Sequence, residues 1–215
     1  MQLLRSFSDA PAHNSALERR FLSEPPPAPD RLLRYVNRPS VIVGRNQAIE
    51  AEVDTDYCRK QGIEVVRRIS GGGAVYHDRG NINYAFIVAR GEEALPDTDF
   101  TKPLRDALRS FGIATTVGAR KELLVQGGMK ISGTAAHAGR ERFLFHGTLL
   151  HRTDLRCMSL ALRNDPALRG KRIASVASPV VNLADLTGDT ASTEDFLARL
   201  LAFFERYYGV KTVPC

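Results

Sequence analysis

No apolar run in the sequence is long enough to cross a bilayer, and Met1 to Asp9 lacks the basic start and extended greasy stretch of a secretion signal. A cytoplasmic protein with no membrane partner is therefore expected. Cysteine is scarce. Cys58, Cys157 and Cys215 are odd in number, far apart and without CxxC or Cys/His spacing, which argues against a disulfide framework and a zinc site. Each reads as a small core filler or an idle surface thiol. No segment repeats and none is of low complexity. Basic residues are scattered in ones and twos, as at Arg19-Arg20, Arg67-Arg68 and Lys171-Arg172, with no interleaved aromatic platform. That pattern argues against nucleic acid as the partner.

What is present is enough for one core. The chain has 215 residues, 43% of them hydrophobic and 25% charged, so a single domain spanning residues 1–215 is expected. The formal net charge of +6 is compatible with nucleic acid, an acidic protein partner or an anionic small substrate, and charge alone does not choose among them.

Asn14 to Leu22 reads as a helix with Ala16, Leu17 and Phe21 on one side, ending before a Pro-rich connector over Glu24 to Asp30. The β-branched runs Ser40 to Gly44 and Ile63 to Ile69 read as strands. Ala74 to Tyr76 and Ile82 to Val88 flank an Asp78-Arg79-Gly80-Asn81 turn and predict a hairpin. Asp99 is a candidate cap for a helix through Ser110 that Gly112 closes. Two more hairpins are predicted, Leu123 to Ser132 around Gly127-Gly128, and Thr134–Ala138 with Arg142–His151 around Gly139-Arg140. In the latter, Phe143 and Phe145 share one face, and Leu144 and His146 the other. Ser192-Thr193-Glu194-Asp195 resembles a capping box opening a final helix that stops near Tyr208, before Gly209. Hairpins mixed with a few flanking helices predict an α+β fold with a mixed β-sheet, as opposed to a parallel nucleotide-binding sheet.

Chemistry is concentrated in three stretches. Arg67 to Tyr84, RRISGGGAVYHDRGNINY, sets three consecutive glycines between strand-like segments. Triple glycine costs chain entropy, and it is easiest to rationalise where the backbone turns sharply or aims N–H groups at anionic oxygens. The two preceding arginines supply charge for a phosphate or carboxylate. The stretch is neither a Walker A loop nor GxGxxG. Met129 to Ala135, MKISGTA, carries Lys130, which alone reads as a solvated edge guard. Phe145 to Leu150, FHGTLL, carries His146, which alone reads equally well as a core residue.

Together and in this order, the three stretches closely resemble the lipoate-protein ligase A and lipoyltransferase family, whose patterns are RRxSGGGxVYHDxGNxNxxF, KxSGxA and HHGTLL. Flanking segments are similar too: Asn14–Glu18, Pro39–Gln47 and Ile173–Leu183. The resemblance implies the fold shared with biotin-protein ligase and class II aminoacyl-tRNA synthetases. It also implies an enzyme that joins lipoate to the α-phosphate of ATP, with Mg2+, and passes the acyl group from lipoyl-AMP to a lysine of an acceptor. By that carry-over, Lys130 is the catalytic cation, contacting acyl carbonyl and α-phosphate. The adenylate is expected on Arg68, on Gly71, Gly72, Gly73, Ala74, Val75 and Tyr76, and on Asn81, Lys130 and Ser132. Lipoate is expected against Leu17, Val43, Val75, Gly133 and Ala135, with Arg68, His77, Lys130, His146, Gly147 and Thr148 at its reactive end. The partners implied are acidic lipoyl domains of 2-oxoacid dehydrogenase complexes or the glycine cleavage H protein.

The sequence departs from the pattern at Phe145, where the family has a first histidine, at Ala48, where it has asparagine, and at Glu122, where it shows aspartate. Glu122 is thus a candidate to orient Lys130 or hold magnesium. The chain stops after the terminal helix, so the small C-terminal accessory domain of many such ligases is expected to be absent. That leaves three routes: a separate accessory chain, use of preformed lipoyl-AMP, or lipoyl and octanoyl transfer between carrier proteins. Cys-dependent transferases hold a cysteine in the loop before the SG lysine, and Arg120 to Lys130 has none. The reading from another class is a non-catalytic nucleotide or nucleic-acid binding module.

Overall fold

The computed structural model describes residues 1–91, 98–163 and 165–215. In chain order it contains β1 (Gln2–Arg5), α1 (Pro11–Leu22), β2 (Arg31–Tyr35), β3 (Ser40–Val43), α2 (Ile49–Glu52), α3 (Thr55–Gln61), β4 (Glu64–Arg67), β5 (Val75–His77) and β6 (Asn81–Ala89). These are followed by α4 (Lys102–Ser110), β7 (Thr116–Val117), β8 (Leu123–Leu124), β9 (Lys130–Ser132), β10 (Thr134–Ala138), β11 (Arg142–Leu150), α5 (Leu155–Ala161), α6 (Pro166–Arg169), α7 (Leu183–Thr187), α8 (Thr193–Tyr208) and β12 (Thr212–Pro214). The main sheet has six strands in the order β10-β11-β6-β2-β1-β12, parallel at β2-β1-β12 and antiparallel elsewhere. Two three-stranded sheets, β4-β3-β5 and β7-β8-β9, flank it. The expected α+β, mixed-sheet class is the one observed.

Alternation along the strands divides the core into layers, because successive side chains leave opposite faces of a strand. Leu3, Leu32, Tyr84, Phe86, Phe143 and Phe145 face α4 and α8 in the largest cluster. Leu4, Leu33, Ala85, Ile87 and Leu144 face α1. A third cluster joins β3 and β5 to α3 and α5 through Val41, Val43, Tyr76, Cys58 and Ala161. The main sheet is thus covered on both faces. The connector over residues 24–30 crosses its margin, held by the buried Arg142, whose Nη1 donates to Ala28 O (2.8 Å) and Nη2 to Pro29 O (2.7 Å) and Ile87 O (2.9 Å).

Most local signals are realised where they were expected. Leu123 pairs with Ser132 across the Gly127-Gly128 turn, and Thr134 pairs with Gly147 across the next one. Ser192 Oγ accepts from the Asp195 N–H (3.1 Å), and Gly209 closes α8 at φ 66°. The cap expected at Asp99 is displaced: Thr101 is the N-cap of α4 and has no side-chain cap, while Asp99 Oδ1 accepts from the Thr101 N–H (3.0 Å) just ahead of the helix. Two further expectations need correction. The segments around Asp78-Arg79-Gly80-Asn81 form no hairpin, because β5 pairs with β3 while β6 enters the main sheet between β2 and β11. The turn is a crossing between sheets, tied by Asp78 Oδ1 accepting from the Gly80 N–H (2.8 Å) and Asp78 Oδ2 accepting from the Asp154 N–H (2.8 Å). On α1 the buried positions are Pro11, Asn14, Leu17, Glu18, Phe21 and Leu22, with Ala16 exposed, so the inner face of this helix is partly polar.

Candidate active site

Between α1, the main sheet and the β4-β3-β5 sheet lies a cavity of about 420 Å³. One wall is the glycine turn, Gly72 to Val75, and another carries Lys130, Gly133, Thr134 and Ala135. His146, Gly147 and Thr148 of β11 form part of the base, and Ala174, Ser175 and Val176 cross the top of the glycine turn.

The glycine turn is braced from three sides. Gly72 has φ 87°, a left-handed conformation that favours glycine. A Cβ on Gly44 would lie 2.1 Å from Gly72 O, so the β3 terminus passes under the turn only because position 44 has no side chain. Arg68 Nη2 donates to Gly71 O and Gly73 O (both 2.7 Å), its Nη1 to Ile42 O (3.0 Å), and its Nε to Ser70 Oγ (2.9 Å). Arg67 Nη1 donates to Gly44 O (2.8 Å) and Gln47 O (3.0 Å) on the adjoining loop. Ser175 Oγ accepts from the Ala74 N–H (2.9 Å) and from Gln47 Nε2 (3.1 Å). Among the described residues, the N–H groups of Gly72 and Gly73 have no hydrogen-bond partner. Rigid backbone donors beside a cavity suit an anion.

Lys130 stands at the start of β9, anchored through its own backbone, with N–H to Pro179 O (2.9 Å) and O accepting from the Val181 N–H (3.1 Å). Its Nζ lies over Gly133, 2.9 Å from where a Cβ would be, and has no hydrogen bond or ion pair among the described residues. Burial, followed by the neighbouring Arg120, depresses its pKa, while Glu122 acts in the opposite direction. An ammonium held this way, desolvated and without a counter-ion of its own, is poised for an anionic ligand.

The base of the cavity is a buried hydrogen-bonded chain. Tyr35 Oη donates to Glu18 Oε1 (2.9 Å), and Glu18 Oε2 meets His146 Nδ1 (2.8 Å). His146 Nε2 meets Ser70 Oγ (2.7 Å), which also accepts from Arg68. A second chain runs from Ser6 through Asn14 and Asn37, whose Nδ2 donates to His77 Nδ1 (3.0 Å). Burial, and then the nearby Arg68 and His146, lower the His77 pKa to about 3, so its imidazole is neutral. With Nδ1 accepting, the proton sits on Nε2, which has no partner among the described residues.

The cavity brings together Arg68, Gly72, Gly73, Ala74, Val75, His77, Glu122, Lys130, Gly133, Ala135, His146, Gly147 and Thr148 from the sequence-predicted set. Six others lie off its wall. Leu17 packs against Phe21 and Leu33 under the sheet, and Val43 and Tyr76 are in the core beneath β3. Gly71 offers its carbonyl to Arg68. Asn81 Nδ2 bonds Asn83 Oδ1 (2.9 Å), and Ser132 Oγ bonds Tyr84 Oη (3.2 Å). Leu17 and Val43 were expected along an apolar tunnel; Leu17 on α1 packs into the second cluster instead, and strand alternation turns Val43 away, so that Ile42 reaches the cavity in its place. Arg68, expected to meet phosphate, directs its Nε, Nη1 and Nη2 to the turn it braces while its charge stays at the wall. Glu122 accepts from the Arg120 N–H (2.7 Å) and lies 3.6 Å from its guanidinium. Among the described residues no cluster of three His, Cys, Asp or Glu side chains is spaced to hold a metal, so one arginine-paired carboxylate does not make a magnesium site.

Sequence reasoning overlooked Glu18, Tyr35, Asn37, Arg120 and Ser175 as individual site residues. Glu18 and Ser175 lie in the flanking segments that matched the family, and Asn14 and Glu18 at i, i+4 among apolar residues were a visible polar stripe. None of the cysteines reaches the cavity: Cys58 is buried in the third cluster, and Cys157 Sγ accepts from Tyr57 Oη (3.6 Å). Among the described residues no helix is long and apolar enough to cross a membrane.

Fold and site define a mixed-sheet α+β domain in which a rigid glycine turn and an unpaired ammonium share one cavity. Residues 10–205 match the lipoyl protein ligase A/B catalytic domain model, and the chain belongs to that family. It is 37% identical over 206 residues to lipoate-protein ligase LplJ of Bacillus subtilis, covering 95% of this chain and 62% of that protein. Among solved structures, a lipoate-protein ligase A bound with ATP is similar at TM-score 0.81 and 25% identity, over 100% of this chain and 87% of that one. A chain from a bi-partite lipoate protein ligase of Thermoplasma acidophilum, studied with its E2 lipoyl domain, is similar at TM-score 0.81 and 26% identity, over 100% and 86%. The chain spans less than two thirds of the length of LplJ.

Proposed function

We propose that this domain holds lipoyl-AMP and transfers its lipoyl group to a lysine of an acceptor lipoyl domain in the cytoplasm. The observation that carries the reading is that Lys130 and the Gly72–Val75 turn line one cavity. In activation, a lipoate carboxylate oxygen attacks the α-phosphorus of ATP and pyrophosphate leaves. In transfer, the acceptor amine attacks the acyl carbon, the carbon–oxygen bond to AMP breaks, and an amide forms. Negative charge grows on the phosphoryl oxygens in the first step and on the carbonyl oxygen in the second. Lys130 Nζ is the cation for both, and the Gly72 and Gly73 N–H groups bind the phosphate. The acceptor lysine loses a proton at a cost of roughly 4–5 kcal/mol at neutral pH, which a desolvated, cation-lined site reduces. His77 and His146 fix the shape of the acyl end, each held by a hydrogen-bonded chain. Mg2+ enters with the ATP phosphates.

Support comes from the family, from an ATP-bound relative, and from a bi-partite ligase studied with an E2 lipoyl domain. Transfer between carriers through a cysteine thioester finds no thiol in the cavity. The test supplies an apo lipoyl domain with lipoyl-AMP, with a lipoylated carrier protein, or with lipoate and ATP in the presence or absence of a separate accessory chain, and reads acceptor mass. Modification from lipoyl-AMP is expected, and Lys130→Ala should reduce it by about a hundredfold or more. Modification from the carrier alone, or a Lys130→Ala protein as active as its parent, would overturn the reading.

A further inference from the structure

Strand β10 ends the main sheet at the rim of the cavity, where Thr134 and Ala135 belong to the wall. Its pairing with β11 reveals which backbone groups face outward. Gly133 O accepts from the Thr148 N–H (3.0 Å), and the Gly139 N–H donates to Arg142 O (2.9 Å). Hydrogen-bonded and non-bonded pairs alternate in an antiparallel ladder, so Ala135 and His137 bond to β11. The N–H and C=O groups of Thr134, Ala136 and Ala138 therefore point away from the sheet. Natural edges are normally guarded by lysine, proline, a bulge or a covering segment. This edge is Thr-Ala-Ala-His-Ala in unbroken register, with Ala136 and Ala138 exposed. The opposite edge, β12, carries Pro214.

Cationic groups border the bare edge. Thr134 Oγ1 donates to the backbone O of Arg120 (3.2 Å), whose guanidinium lies 3.6 Å from Glu122; burial and then the nearby Arg45 lower the His137 pKa; and Arg140 at the far turn, 94% exposed, pairs with Glu141 (3.3 Å). A partner strand on this edge passes Arg120, Arg45 and Arg140 on a chain whose formal net charge is +6. Alanine and threonine leave room for the larger side chains of an incoming strand.

We propose that the β10 edge is the docking strand for the protein acceptor. An extended, acidic segment of the acceptor adds to the sheet beside β10, with its target lysine opposite Thr134, where the side chain enters the cavity next to Lys130. Backbone hydrogen bonds hold the acceptor, and the arginines select for its charge. The idea rests on the acyl-transfer reading above and identifies the surface by which the acceptor is held.

Ala136 lies outside the cavity wall, and its N–H is not part of the β10–β11 ladder. Proline is tolerated at such an edge position and removes one outward donor. Ala136→Pro and the charge-opposing substitution Ala136→Glu are compared with wild type for lipoyl-AMP affinity by calorimetry and for KM of an apo lipoyl domain. Affinity for lipoyl-AMP should be unchanged, whereas KM should rise by about tenfold, in line with the loss of one to two backbone hydrogen bonds. In the wild-type protein, hydrogen exchange at the amides of Ala136 and Ala138 should slow when the apo domain is added. Unaltered KM in both variants, or unprotected amides under saturating apo domain, would overturn the proposal. A wild-type protein that fails to bind lipoyl-AMP would overturn the acyl-transfer reading first, and the docking strand with it.

Discussion

Lys130 and His77 represent two uses of burial. Both are titratable groups disfavoured in their charged forms by desolvation. Lys130 stays unpaired where an anion can reach it, whereas His77 is kept neutral by burial, its ring held by Asn37. Neutral burial has a consequence for stability. Between the ordinary value of 6.5 and about 3, unfolded His77 carries a proton that folded His77 does not. The unfolded state then binds more protons, so stability is full above pH 6.5 and is lost as pH falls towards 3. The buried His151, lowered to about 4 by burial and by Arg152, adds to the same trend. Unfolding free energies from urea titrations between pH 7 and pH 4.5 should fall by up to roughly 1.4 kcal/mol per pH unit for each such histidine. A His77→Asn protein should have the shallower slope, whatever its stability at pH 7; an identical slope would mean that His77 is protonated in the fold.

The glycine turn works as an element because its neighbours leave it no alternative. Arg68 satisfies two of its carbonyls, Ser175 its following N–H, and Gly44 the space below it. Gly44→Ala drives a Cβ into Gly72 O, a backbone atom that moves only if the turn moves. The expected cost is about 1–3 kcal/mol of stability together with weakened lipoyl-AMP binding. Gly71 provides the contrast, since a Cβ there meets nothing within 4 Å and its φ is not positive. Gly71→Ala should stay within about 0.5 kcal/mol of wild type by thermal unfolding. If both substitutions are equally harmful, the turn is set by glycine entropy and not by the close approach of β3.

At the scale of the molecule, charge sets the terms of encounter. With a net charge of +6, the proposed docking at β10 predicts that an acidic acceptor is steered to that side. Screening shortens from roughly 30 Å at 0.01 M salt to about 8 Å at 0.15 M. Over that range kcat/KM for an acidic lipoyl domain should fall by about threefold to tenfold, mostly through association. Constant rates would remove steering from the account and leave contact at the edge as the source of recognition.

Much of this was written locally in the chain. The turns at Gly127-Gly128 and Gly139-Arg140, the cap at Ser192, the face-switching of Phe143 to His146, and the three motif stretches all depend on residues within a few positions of one another. Local sterics and hydrogen bonding determine such features, and they are legible one segment at a time. Partner choice across the fold was not. That β5 joins β3 and not β6, and that strands from the two ends of the chain lie parallel as β1 and β12, follow from burying both faces of one sheet. Tertiary structure also decided what the motif and flanking pieces do: Ser175 reaches Ala74 across 101 positions, Glu18 reaches His146 across 128, and Arg68 braces the turn beside it. The physical reason is that a buried donor must find an acceptor wherever the fold supplies one, and only three-dimensional packing decides which groups come within reach.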